Sequence, residues 1–242
     1  PVFIDSEKET WNMCPEALET AIKYHLNKGI IPKAIIVVHL YGMPAKMKEI
    51  GTIAERYEIP IIEDAAEALG SKIDGKACGS FGKFGILSFN GNKIITTSGG
   101  GALLSNDENA IRQARFLATQ AKDKAPHYEH STLGYNYRMS NISAAIGVGQ
   151  LQVLKERVKA RRANYNFYKE IFNEVQGIEF LEEPRGFFTN RWLSCVLFNQ
   201  AKNSLLSSER FRKHLDKKNI ESRPLWKPMH LQPVYKDALY FG

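Results

Sequence analysis

The feature that most restricts this sequence is the alternation of short apolar, β-branched runs with helix-length periodic segments before residue 65. Residues 1–5 read as a short apolar strand. In Pro15–Leu26 the positions Leu18, Ala21, Ile22 and Leu26 recur at helical spacing. Pro15 suits a first turn, and Gly29 lies just beyond the end. Residues 33–40 read as a buried strand and residues 47–57 as a second helix, with Ile50, Ile53 and Ala54 on one face. Residues 59–64 give the next strand, which ends in two carboxylates, Glu63 and Asp64. Short buried strands separated by helices predict a mostly parallel α/β sheet covered by helices on both faces.

Beyond it, a glycine-rich stretch over residues 70–101 contains strand signals at 86–89, and residues 102–104 give another. Asn106 or Asp107 is expected to cap a helix running through Leu117. Residues 121–134 are polar, contain Pro126 and read as a loop. A helical region from Asn141 to about Val175 is expected to bend near Gly147 and Gly149. A domain boundary is placed here, with a large domain over residues 1–152 and a smaller α+β unit over 153–242. The smaller unit is assigned strands at 178–180 and 192–198, a helix at 207–217 and a strand near Ile220. The chain then stops at Gly242 with no closing element expected.

Composition removes several function classes. No apolar run is long enough to cross a bilayer, and the first residues do not resemble a signal peptide. The first residue is not Met, so a fragment or a processed chain is expected. Cys14, Cys78 and Cys195 are far apart and show neither metal spacing nor a disulfide framework, which fits a reducing cytoplasm. The net charge of +7 is compatible with anionic small molecules. Its densest cluster, Lys155 to Arg162, has helical spacing and is interrupted by Glu156, so it reads as a solvated helix face and not a nucleic-acid arm.

Two segments carry chemistry. Ligands of open α/β sheets sit at the carboxyl ends of strands, and Asp64 lies at such an end, followed by small residues. Taken alone, it is better read as a helix cap. Further on, Ser88, Lys93 and the run Gly99-Gly100-Gly101 place a hydroxyl, an amine and a flexible backbone after a strand. Lys93 sits among apolar and small residues, where loss of hydration favours the neutral amine that imine chemistry needs. A surface lysine beside a flexible hairpin is the competing reading.

Together the two segments point further. Glu63-Asp64-Ala65-Ala66-Glu67-Ala68-Leu69-Gly70 and Ser88-Phe89-Asn90-Gly91-Asn92-Lys93 through Gly101 resemble the DegT/DnrJ/EryC1/StrS family of sugar aminotransferases. Val38-His39-Leu40-Tyr41-Gly42-Met43-Pro44, Gly134-Tyr135-Asn136-Tyr137-Arg138-Met139 and Lys227-Pro228-Met229-His230-Leu231-Gln232-Pro233 do so as well, in family order. The resemblance implies a fold-type I aminotransferase architecture and pyridoxal 5'-phosphate, cycling through pyridoxamine phosphate. It makes Lys93 the lysine that carries the cofactor and moves the proton, and Asp64 the partner of the pyridine nitrogen. Ala66 packs on a ring face, Glu67 stands where the family often has His or Gln, and Ser88 donates to the phosphate. Asn136, with Arg138 as a weaker candidate, reaches a neighbouring subunit's cofactor phosphate, which makes a homodimer with shared sites the catalytic unit. Trp226 and His230 approach the sugar nucleotide, the substrate that receives an amino group from glutamate for surface polysaccharide or glycan biosynthesis. The family's upstream phosphate-cradling turn and its closing segment have no counterpart here. The alternatives are a non-catalytic remnant of the fold and a dehydratase-like relative; Lys93 argues against the second, which carries histidine there.

Overall fold

The computed structural model describes residues 1–204 and 207–242. In chain order its elements are β1 (Val2–Ile4), α1 (Pro15–Leu26), β2 (Ile35–Val38), α2 (Met47–Arg56), β3 (Ile61–Asp64), β4 (Lys72–Ile73), β5 (Lys76–Ala77), β6 (Phe84–Ser88) and β7 (Gly101–Leu104). Helices α3 (Glu108–Ala118), α4 (Asn141–Gln152) and α5 (Leu154–Ile171) follow. The chain ends with β8 (Ile178–Phe180), β9 (Phe187–Phe188), β10 (Val196–Phe198), α6 (Ser208–Asp216) and β11 (Leu239–Phe241).

The central sheet has the order β2-β3-β6-β7. Strands β2, β3 and β6 are parallel, and β7 returns antiparallel to β6. Its core is the face on which Ile35, Val37 and Ile61 meet Leu18 and Ile22 of α1 and Met47, Ile50, Ile53 and Ala54 of α2. In α2 those four positions are spaced to lie on one stripe, and burying each large aliphatic contributes about 1.5–3 kcal/mol. The period of two along the strands turns Ile36 and Val38 to the other face, where Ile36 is 59% exposed. Among the described residues, the helices α1 and α2 cover the face of Ile35, Val37 and Ile61.

Other expectations are corrected in detail. The helical region breaks at Val153, not at Gly147 or Gly149. Gly147 serves close packing instead: a Cβ there would lie 3.1 Å from Thr97 Cγ2. Of the two candidate caps for α3, Asp107 takes the role, its Oδ1 accepting from the Ala110 amide at 3.0 Å. The expected strand at 192–198 shortens to β10, and Trp192 is buried against Tyr41, Ile94 and Val158 instead. Ile220 lies in no strand. The last residues do close onto the fold, since β11 pairs in parallel with β1. Residues beyond the expected boundary also return to the first half: β9 pairs antiparallel with β4, and Thr189, Asn190 and Trp192 are buried beyond it.

Candidate active site

Asp64 is the last residue of β3, and Ser88 is the last residue of the adjacent β6. The register sets Asp64 opposite Ile86, so the period of two puts Asp64, Ile86 and Ser88 on one face of the sheet. Asp64 Oδ1 accepts from the Ala66 amide at 3.1 Å, and Ser88 Oγ accepts from the Asn90 amide at 3.4 Å. After Ser88 the chain turns tightly. The Lys93 amide donates to Asn90 O at 3.1 Å, and the Thr97 amide to Phe89 O at 2.9 Å. Gly100 closes this loop with φ +90°, and a Cβ on it would come 2.6 Å from Met139 Cε.

The loop delivers Lys93 to a buried carboxylate. Lys93 Nζ lies 3.4 Å from Glu67 Oε1, and its side chain is only 13% exposed. It also stands 4.5 Å from the ring centroid of Trp192, a cation–π distance. Glu67 Oε2 accepts from the Tyr41 amide at 2.7 Å. Burial pushes the Glu67 carboxyl above its ordinary range, against the opposing pull of the Tyr41 amide and Lys93, and nearby Asp64 pushes the same way as burial. Trp192 is held by its indole N–H, which donates to Asn92 O at 2.8 Å. Asn190 Nδ2 donates to Glu67 O at 2.7 Å and Leu69 O at 3.0 Å, tying the two segments together. Gly42 must be glycine here, for it has φ +87° and a Cβ would fall 2.0 Å from Asn190 Oδ1.

Below Asp64, Glu63 is fully buried and fully used. Its Oε2 accepts from His39 Nε2 at 3.0 Å and Gly79 N at 2.7 Å, and its Oε1 from Gly82 N at 2.6 Å and from Phe81 N. His39 Nδ1 accepts from the Ala45 amide at 3.0 Å, so the ring is the tautomer with its proton on Nε2. Burial alone would raise the Glu63 carboxyl, but His39 and the Gly82 and Gly79 amides outweigh it and hold it below the ordinary range. This buried network fixes the strand that presents Asp64.

The fold thus brings Asp64, Ala66, Glu67, Ser88 and Lys93 to one end of the sheet. Trp226 joins them at its rim. Its amide donates to Tyr41 Oη at 2.9 Å, and its ring lies 5.0 Å from Tyr41 and 6.0 Å from Trp192. His230 does not join by any contact among the described residues; it stacks on Tyr240 at 3.9 Å. Asn136 and Arg138 are exposed, and Asn136 bridges to Thr119. Tyr41, Asn190 and Trp192 escaped the sequence reading as site residues. Tyr41 lay inside a recognised motif without a role, and Trp192 was absorbed into an expected strand.

The donor set fits an aldehyde cofactor that carries a ring nitrogen and a phosphate. Among the described residues, Asp64 Oδ2 and the Ser88 hydroxyl proton have no hydrogen-bond partner, and Lys93 Nζ has only Glu67 as a hydrogen-bond partner. Small Ala66 follows the carboxylate. Among the described residues, no group of three His, Cys, Asp or Glu side chains could hold a metal ion, and no helix is long and apolar enough to cross a membrane.

Comparison with known proteins defines the class. Residues 1–240 match the model of the DegT/DnrJ/EryC1/StrS aminotransferase family, and the chain belongs to that family of pyridoxal-phosphate-dependent enzymes. It is 52% identical over 242 residues to the Bacillus subtilis (strain 168) protein named "Putative pyridoxal phosphate-dependent aminotransferase EpsN", covering 100% of this chain and 61% of the relative. It is 38% identical over 237 residues to GDP-perosamine synthase of Escherichia coli O157:H7, covering 98% of this chain and 62% of the relative. The crystal structure of a DegT DnrJ EryC1 StrS aminotransferase from Brucella abortus superposes with a TM-score of 0.89 at 32% identity, covering 100% of this chain and 63% of that one. The architecture is accordingly that of fold-type I aminotransferases, and the chain spans less than two thirds of the length of these relatives.

Proposed function

We propose that this chain carries the lysine and ring-binding part of a pyridoxal-phosphate aminotransferase that moves an amino group from glutamate to a keto group of a nucleotide-linked sugar. The observation that carries this reading is the convergence of Asp64 and Ser88 on one sheet face with Lys93 in contact with buried Glu67. Pyridoxal phosphate, when bound, supplies the electron sink that makes the amino carbon acidic. Asp64 holds a proton on the ring nitrogen through a charge-assisted hydrogen bond. Ser88 would donate a hydrogen bond from its hydroxyl to the phosphate. Ala66 leaves room on one ring face. Lys93 Nζ takes and returns the proton at the substrate carbon, beside Trp192, whose side chain is buried and helps keep water out.

A 4-keto-6-deoxy sugar is the favoured acceptor, supported by the likeness to a protein named GDP-perosamine synthase. Trp226, at the rim, is the residue placed to meet it; His230 enters this reading only through a movement of its own segment. The biological setting is surface polysaccharide or glycan synthesis in the cytoplasm. A homodimer is part of the proposal. Helix α4 buries none of its residues in this chain, Ile142 is 77% and Val148 62% exposed, and exposed Asn136 and Arg138 precede it. A second copy laid on this face would cover it and bring Asn136 to the partner's Ser88 and Lys93. The division into residues 1–152 and 153–242 is likewise proposed, with residues 187–192 as the part of the second unit that packs on the first.

The test is turnover by the intact protein with glutamate and GDP-, dTDP- or UDP-linked 4-keto-6-deoxyhexose. An amino sugar and 2-oxoglutarate in equal amounts, lost in Lys93→Ala, are expected. Equal activity of the variant, or no amino sugar from any of the three while the protein holds pyridoxal phosphate, would overturn the reading.

A further inference from the structure

Glu67 sits in surroundings unlike those of an ordinary surface ion pair. One carboxylate oxygen is fixed by the Tyr41 amide at 2.7 Å, which leaves Oε1 as the atom facing Lys93 Nζ at 3.4 Å. Glu67 is 7% exposed and the Lys93 side chain 13%, so neither group exchanges freely with bulk water. The other groups around the carboxyl are Asp64 from the end of β3, the Tyr41 phenol and the Cys195 thiol. Burial pushes the Cys195 thiol up to about 12, and it also raises the Tyr41 phenol, so both stay protonated and neutral. Asp64 is therefore the remaining negative charge beside the pair, and it works against a second carboxylate.

We propose that Glu67 and Lys93 form one proton-sharing unit, in which Glu67 Oε1 takes the proton that Lys93 Nζ releases when the amine becomes a nucleophile. The step is balanced within the pair. The N–H bond at Nζ breaks, its electrons become the amine lone pair, and an O–H bond forms at Oε1 with no net change in charge. Burial disfavours the separated charges of the ionic form, and Trp192 and the Tyr41 amide favour them. The proton returns to Lys93 when the amine is freed. A histidine or glutamine at position 67 would make a hydrogen bond there, but glutamine could store no proton. This inference deepens the aminotransferase reading, since it gives the cofactor-carrying lysine its proton acceptor.

The consequence is visible without turnover. Two groups that share a proton titrate as a pair, and between the pair's two transitions the fraction of neutral amine is independent of pH. Competitive labelling of the cofactor-stripped intact protein with trace acetic anhydride, read by mass spectrometry at Lys93, measures that fraction. The other lysines serve as internal references. Between pH 6 and 8 the wild-type rate at Lys93 is expected to change less than about threefold, whereas Glu67→Gln restores a fall of about tenfold per pH unit on acidification, the behaviour of an isolated amine. A tenfold-per-unit slope in the wild type would overturn the proposal whether or not the variant folds. A flat profile in both proteins would overturn it too, because Lys93 would then be neutral without Glu67. Borohydride trapping of added pyridoxal phosphate on the same preparation tests the parent reading separately, so failure of one is not failure of the other.

Discussion

Replacing Glu63 by glutamine tests whether the network beneath the site holds it in place. Each Glu63 oxygen accepts two donors: His39 Nε2 and Gly79 N on one, Gly82 N and Phe81 N on the other. In Glu63→Gln one oxygen becomes an NH2 group that meets two donors head-on. His39 cannot relieve this by changing tautomer, because its Nδ1 already accepts from Ala45 N at 3.0 Å. At least two buried donors lose their acceptor, at about 1–3 kcal/mol each, and the charge on the remaining bonds is lost as well. The expected destabilisation is therefore about 4 kcal/mol, two orphaned buried donors plus the lost charge on the remaining bonds. Equilibrium urea denaturation of both proteins measures it. The sign with pH is also fixed. The folded-state carboxyl lies below its ordinary range, so its stabilisation is full above the unfolded pKa and is lost as pH falls through the folded one. The gap between wild type and variant should narrow on acidification. A loss under about 1 kcal/mol at neutral pH, or a gap that widens in acid, would refute the reasoning.

Asp64→Ala should lower turnover roughly 30-fold or more, about 2 kcal/mol for a bond to a charged group, while costing only about 1 kcal/mol of stability through the lost Ala66 contact. A stability loss with unchanged turnover would reduce Asp64 to a cap. Mixing inactive Lys93→Ala and Asn136→Ala proteins should restore about one quarter of wild-type activity if sites are shared, because half the dimers are mixed and each has one intact site. No recovery despite demonstrated subunit exchange would count against sharing.

The parts of the fold written in local periodicity were legible. Helices α1 and α2 carry their buried residues at the spacings the sequence showed, because each packs one face on one core, whereas strands β2 and β3 lie where the apolar runs put them but alternate in burial. What was missed depends on distant partners. Trp192 is apolar and lies in a β-rich stretch, so nothing local says that it will leave the strand and donate its indole N–H to Asn92. β4, β5 and β9 are two residues each, too short to show a period. The closing strand β11 is created by pairing with β1, more than 230 residues earlier. Asp64, Ser88 and Lys93 were singled out by their spacing and the family resemblance, and the register of β3 and β6 sets Asp64 and Ser88 on one sheet face. Glu67 could be singled out as a departure, but its bonds to Tyr41 and Lys93 exist only in three dimensions.

The central claim is that Lys93 carries the cofactor. Incubating the intact protein with pyridoxal phosphate, reducing with borohydride and mapping the modified peptide by mass spectrometry tests it most directly. The account predicts one phosphopyridoxyl group per chain, on Lys93 in the peptide following Ser88, and none there in Lys93→Ala. Stoichiometric modification of a different lysine, with Lys93 left unmodified, would contradict it.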